Sequence, residues 1–183
     1  MMRIVVSTVV PVMPYAVTAM GVKQVVIRKI DGEDVLARIE SEGVTLLNGA
    51  PAVVAAVLNA AQARRQRGQA VPGGNTVRMV VAGAPPPSKT IERVETELGW
   101  EFIQIYGLTE TSPLLTINRA PQEWDALDAP ERARRLSRAG VPAVGVRMAT
   151  AEDISAAAAF LCSPAARNIS GQVLPVNAGE PAG

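Results

Sequence analysis

The sequence predicts an α/β fold, a partial and mostly parallel sheet with flanking helices. Short runs rich in Val, Ile and Leu recur along the chain, and between them lie segments whose apolar residues repeat at helical spacing. Strands alternating with helices of about ten residues are the pattern of βαβ units, which set their strands parallel. Hydrophobic residues make up 48% of the 183 positions and aromatics 3%, so the core is expected to be packed from aliphatic side chains. A chain of this length fits one domain and can bury a core without disulfide staples.

Residues 4–10 are mostly β-branched and read as a strand, residues 14–20 as a short helix and residues 22–27 as the next strand. Asp31 offers a side-chain oxygen to the start of a helix that carries Val35, Leu36 and Ile39 on one face, and Gly43 ends it. Residues 44–47 form a buried strand. Pro51 then opens a helix whose Val53, Val54, Val57, Leu58 and Ala61 make an apolar stripe. The polar stretch 62–76, with Gly68, Gly73 and Gly74, is expected to be a surface loop. Residues 77–81 are a strand, Pro85-Pro86-Pro87 lead into a helix bearing Ile91, Val94 and Leu98, and residues 101–105 are a strand again. Beyond Asn118 the pattern changes to short polar helices at 121–127 and 130–138 and a glycine-containing connection over 140–148. Thr150 and Asp153 suit a capping box for a helix over 151–162, with Ile154, Ala157, Ala158 and Leu161 on one face, and residues 172–176 are a last strand.

Composition removes several kinds of chemistry. There is no histidine, which excludes Ser-His triads, imidazole acid–base catalysis and most zinc sites. The single cysteine, Cys162, cannot form an intrachain disulfide, and its place after Phe160-Leu161 predicts a buried small hydrophobe. A net charge of +1 gives no general attraction to nucleic acid or anionic membrane. Arginines cluster at Arg64, Arg65 and Arg67 and at Arg132, Arg134, Arg135 and Arg138, with acidic residues nearby, and are expected on solvated surface. The apolar run after Arg3 is interrupted by Pro11 and Pro14, which argues against a secretory signal, and no transmembrane segment is expected, so the default location is cytoplasmic.

Ligands of parallel sheets gather beyond the carboxyl ends of the strands. Two loops qualify, Ala82-Gly83-Ala84-Pro85 after one strand and the stretch from Tyr106 to Ser112 after the next. The second joins an aromatic ring, a glycine that admits close approach, a hydroxyl and a carboxylate in Tyr106-Gly107-Leu108-Thr109-Glu110. Those residues suit a nucleotide and metal corner, and they also suit a polar turn.

Residues 13–148 resemble the adenylate-forming, AMP-dependent acyl-CoA synthetases (ligases). Tyr106-Gly107-Leu108-Thr109-Glu110 resembles that superfamily's Tyr-Gly-x-Thr-Glu motif, and Val81-Ala82-Gly83-Ala84-Pro85 is similar to its small-residue nucleotide loop. The intervening residues 92–100 and Thr116-Ile117-Asn118-Arg119 resemble the fatty-acyl branch. The resemblance implies ATP or AMP, magnesium and coenzyme A as cofactors and a carboxylic (fatty) acid as substrate. It implies that Tyr106 lies against adenine, that Gly83, Ala84, Pro85 and Gly107 line the nucleotide pocket, that Thr109 bonds the α-phosphate and that Glu110 holds Mg2+. A carboxylate is the hard oxygen ligand that magnesium prefers.

The 183 residues contain neither the family's Ser/Thr/Gly-rich phosphate loop ending in Pro-Lys-Gly nor its downstream Thr-Gly-Asp segment and catalytic lysine, and residues 1–12 match nothing in it. Residues 149–183 resemble instead the terminal helix and strand of a short-chain dehydrogenase/reductase, although a generic helix and strand would look alike. The expectation is a truncated or chimeric AMP-forming ligase without turnover of its own. The alternatives are a non-catalytic binding module that self-associates through exposed sheet edges, or an NAD(P)-dependent reductase.

Overall fold

The structure is a computed structural model and describes residues 3–6, 12–27, 29–108, 111, 114–146, 151–167 and 169. Among them seven strands form one sheet: β1 (Arg3–Val6), β2 (Lys23–Val26), β3 (Leu46–Gly49), β4 (Arg78–Val81), β5 (Glu101–Tyr106), β6 (Thr116–Arg119) and β7 (Val141–Pro142). Their spatial order is β2-β1-β3-β4-β5-β6-β7. The pairings among β1 to β5 are parallel, and β5–β6 and β6–β7 are antiparallel. The α/β class and the flanking helices agree with the expectation, and the sheet is mixed because of the last two strands. The chain divides into two units, Met1–Ala143, which holds the sheet, and Val144–Gly183.

Helices α1 (Val12–Ala19), α2 (Gly32–Glu42), α3 (Pro51–Gln66), α4 (Ser88–Arg93) and α5 (Ala129–Leu136) belong to the first unit. Asp31 caps α2 by accepting hydrogen bonds from the backbone N–H groups of Glu33 and Asp34 at 2.9 and 3.0 Å. The expected apolar stripes of α2 and α3 are buried without exception. Helix α4 continues as a π-type turn, Val94–Leu98, and Ile91, Val94 and Leu98 all point into the core. One face of the sheet, through Leu47, Met79, Val81 and Phe102, packs on α2 to α5. Each fully buried Leu or Phe there contributes about 1.5–3 kcal/mol. Leu46, Val80 and Ile103, their neighbours along the pleat, form a second cluster with Val17 of α1.

Helix α3 takes in the first five residues of the stretch where the polar composition predicts a loop, as far as Gln66. Arg64, expected on solvated surface, is 7% exposed and pairs with Glu33 and Glu40 of α2. Its aliphatic stem packs between the helices while its fork reaches two carboxylates, a geometry that composition does not reveal. The loop after α3 is tied down by Trp100, whose indole N–H donates to the Pro72 carbonyl at 3.1 Å.

Strand β6 was not expected. Its buried positions are the polar Thr116 and Asn118, so the apolar alternation that marks a strand is inverted. Both are satisfied: the Thr116 hydroxyl donates to Ala139 O at 2.6 Å, and the Asn118 amide donates to Arg135 O and Arg138 O, each at 2.8 Å. Strand β7 is two residues long and includes a proline, too little for any periodicity. Between β6 and α5 the expected polar helix is a 3₁₀ segment, Gln122–Ala126.

In the second unit, α6 (Ala151–Leu161) forms as expected, with the 3₁₀ turn Pro164–Ala166 beside it. The two large apolar residues expected on one face are exposed, Ile154 at 56% and Leu161 at 43%. Cys162 is also exposed, against the expectation of a buried residue. Periodicity shows which residues share a face and does not show what covers it. Thr150 and the strand expected at 172–176 lie outside the described residues. Among the described residues no helix is long and apolar enough to cross a membrane.

Candidate functional site

Strands β4 and β5 are neighbours in register, with Val81 opposite Gln104, so the loops that follow them leave the same edge of the sheet. Ala82 N–H donates to Gly49 O at 3.2 Å and holds the first loop against β3. Gly83 turns that loop with φ +93°, a conformation that L side chains rarely adopt. Strand β5 continues two residues further, to Tyr106, where Leu115 N–H donates to Tyr106 O at 2.9 Å and fixes the start of the second loop. The Thr111 hydroxyl closes the turn by accepting from Leu108 N–H at 3.0 Å and donating to Leu108 O at 2.9 Å.

Between the two loops lies a pocket of about 300 Å³. It brings together Gly83, Ala84, Pro85, Tyr106 and Gly107, five of the seven residues that the sequence singled out. Thr109 and Glu110, the other two, lie outside the described residues, as do Ser112 and Pro113. Tyr106 is 46% exposed, so the ring is open to a partner.

Sequence reasoning missed Gln104, Ile105, Leu108, Ser137 and Ala139 in the same lining. Gln104 is 6% exposed and its side-chain oxygen has no hydrogen-bond partner, a buried acceptor awaiting a donor. It stands two residues before Tyr106, and the two-residue period of a strand puts both on one face, which is the signal that was available. Ser137 and Ala139 follow α5 and are carried to the pocket by the Thr116 and Asn118 hydrogen bonds described above, a long-range placement with no local trace.

The described lining carries no carboxylate, ammonium or guanidinium group. It offers a flat ring, backbone amides and one orphaned acceptor, which suit recognition of a neutral planar group with a donor, such as a nucleobase. The same lining has no acid–base pair for catalysis. Among the described residues no group of three His, Cys, Asp or Glu side chains could hold a metal ion.

A family model described as AMP-binding enzyme matches residues 6–155, a span that includes both loops and the pocket. The chain belongs to the AMP-binding enzyme family. Among similar proteins, 2-methylpropanoate–CoA ligase CCL4 of Humulus lupulus is 39% identical over 131 residues, 72% of this chain and 22% of that protein. The chain thus spans about a fifth of the length of the curated relatives it matches. Among solved structures, o-succinylbenzoate CoA synthetase (MenE) from Bacillus subtilis in complex with the acyl-adenylate intermediate OSB-AMP superposes with TM-score 0.59 at 18% identity, over 78% of this chain and 27% of that one. The N-terminal domain of FACL13 from Mycobacterium tuberculosis gives 0.58 at 21% identity, over 78% and 34%. The sheet and helices of this member of the AMP-binding enzyme family thus share the fold of the N-terminal domain of such ligases.

Proposed function

We propose that this chain forms the adenylate corner of an AMP-forming acid–CoA ligase and binds AMP or ATP through the pocket between β4 and β5. The observation that carries the reading is the meeting, in one pocket, of the Gly83–Pro85 loop and the Tyr106–Gly107 loop. Tyr106 stacks on adenine, Gly83, Ala84 and Pro85 line the base with backbone, and the orphaned Gln104 oxygen accepts from the exocyclic amine. Thr109 bonds the α-phosphate and Glu110 is the ligand for magnesium, which neutralises phosphate charge when bound. Within this reading the ligase part, expected over residues 13–148, takes in the whole of residues 6–155 that the family model matches, and the remainder of residues 149–183 is a reductase-like end without a role for NAD(P).

The reaction of such a ligase has two halves. A carboxylate oxygen of a fatty or other organic acid attacks the α-phosphorus of ATP, and pyrophosphate leaves. The thiol sulfur of coenzyme A then attacks the acyl carbon, and AMP leaves as the thioester forms. Positioning and charge stabilisation supply most of the acceleration in phosphate chemistry, and the described pocket contains no cationic side chain for the triphosphate. That favours a second feature of the reading: the 183 residues bind nucleotide and do not turn it over by themselves.

Calorimetric titration with AMP and ATP tests this. Stacking on an aromatic ring is worth about 1–3 kcal/mol, so Tyr106→Ala should weaken AMP binding roughly tenfold or more. No heat at millimolar nucleotide removes the proposal. Pyrophosphate exchange with a panel of carboxylic acids should stay at background, and exchange above it would show competence.

A further inference from the structure

Residues 137–140 separate two pockets: Ser137 and Ala139 line the pocket described above, and Arg138 and Gly140 line another of about 520 Å³. The second is bounded by β6, β7, α5 and the 3₁₀ segment, and no residue expected at the site lines it. Its size falls within the roughly 300–1,000 Å³ typical of small-molecule sites.

Three arginines, Arg119, Arg135 and Arg138, and one carboxylate residue, Glu131, line this second pocket. Glu131 is already shared between Arg134 at 2.8 Å and Arg135 at 3.1 Å. Arg119 is held by Glu101, with Nη2 to Oε2 at 3.3 Å, and Arg135 stacks 5.5 Å from the centre of the Trp124 ring. Arg138 is exposed, and its guanidinium has no hydrogen bond or ion pair among the described residues. The end of a helix would ordinarily repel an anion through its free carbonyls. Here three of the last four carbonyls of α5 have donors, Ser137 N–H to Ala133 O, Ser137 Oγ to Arg134 O and the Asn118 amide to Arg135 O, and the same amide also donates to Arg138 O. The wall is also rigid, since Gly140 lies so close to β6 that a β-carbon there would stand 2.2 Å from Ile117 O.

We infer that this pocket is a second binding site, for an organic anion whose phosphate or carboxylate pairs with Arg138 and whose flat or apolar body rests among Trp124, Ile117 and Val141. The fork geometry of a guanidinium matches both anions, and an unpaired one gains most from meeting either. Arg119 and Arg135 are positioned by their carboxylates and add field without having to move.

Phenyl phosphate is the probe, titrated into the full chain by calorimetry, with inorganic phosphate, benzoate and phenol as separate arms. Phenyl phosphate should bind more tightly than inorganic phosphate, phenol should not bind, and benzoate reports whether carboxylate serves as well. A hydrogen-bonded ion pair contributes about 1.5–3 kcal/mol, so Arg138→Ala should weaken phenyl phosphate roughly tenfold or more, with Arg138→Lys recovering part of it. Phenyl phosphate affinity should survive Tyr106→Ala, and AMP affinity should survive Arg138→Ala. Equal affinity for phenyl phosphate in the parent chain and Arg138→Ala, its loss in Tyr106→Ala, or no binding at millimolar concentration overturns the inference. AMP titrated into the same samples shows separately whether the adenylate pocket works.

Discussion

The guanidinium of Arg64 on α3 holds the carboxylate of Glu33 on α2 at 2.7 Å, with Arg64 sheltered and Glu33 half-exposed. The hydrogen bond from Arg64 is the main cause that lowers the Glu33 carboxyl below its ordinary range, with the charges of Arg64 and Arg67 assisting and burial opposing. A carboxyl lowered on folding contributes stability that is complete above its unfolded pKa and is lost as pH falls through its folded one. Acid unfolding below the ordinary carboxylate range should therefore soften in Glu33→Gln, which has less to lose there, while the parent chain is the more stable at pH 7. Thermal melts at a series of pH values measure both limbs. Equal slopes for parent and variant in acid would remove the linkage.

Asn48 of β3 is fully buried, and neither its amide nitrogen nor its oxygen has a hydrogen-bond partner. A buried polar group left unpaired costs about 1–3 kcal/mol, and an apolar side chain of similar shape avoids that. Asn48→Leu should raise the stability measured by denaturant titration by about 1 kcal/mol or more. A loss instead would mean that Asn48 has a partner.

Gln104 carries an orphaned oxygen as well, with one difference: its oxygen belongs to a pocket. Gln104→Met should stabilise the free chain by about 1 kcal/mol and at the same time weaken AMP binding, since the acceptor for the base is gone. Melting temperature with and without AMP separates the two effects. If both fall together, the side chain is structural.

Gly140 combines φ +91° with backbone contact to Ile117. Gly140→Ala should destabilise the chain by about 3 kcal/mol, because strain and overlap act together. It should displace residues 137–139 and so weaken AMP binding from outside the adenylate pocket. Unchanged stability would mean that the connection adopts another path.

The sequence disclosed the elements whose periodicity and punctuation agreed. Val53, Val54, Val57, Leu58 and Ala61 mark one face of α3, and Asp31 marks the start of α2, because local chemistry and tertiary burial ask for the same residues there. The Gly83 and Tyr106 loops were legible because a parallel sheet presents its strand ends on one edge. Strand β6 was hidden because its inward residues are polar, and their partners lie 17 to 23 positions away. Arg64 was misplaced because only the packed pair of helices supplies its two carboxylates. Cys162 looked internal because a helix face was visible in the sequence while its covering was not.

The strand order β2-β1-β3-β4-β5-β6-β7 has a bearing on how the chain is made. Once β1 and β2 have paired, β3 adds to the free side of β1, and every later strand adds to the free side of the one before it. No pair already formed has to open, so the sheet can grow outward in the order of translation, although parallel pairing across intervening helices closes long loops and is slow. The floor of the pocket between the β4 and β5 loops is in place when β5 emerges, yet its far wall waits for Ser137 and Ala139. The proposed nucleotide site would therefore be complete only after α5 has left the ribosome.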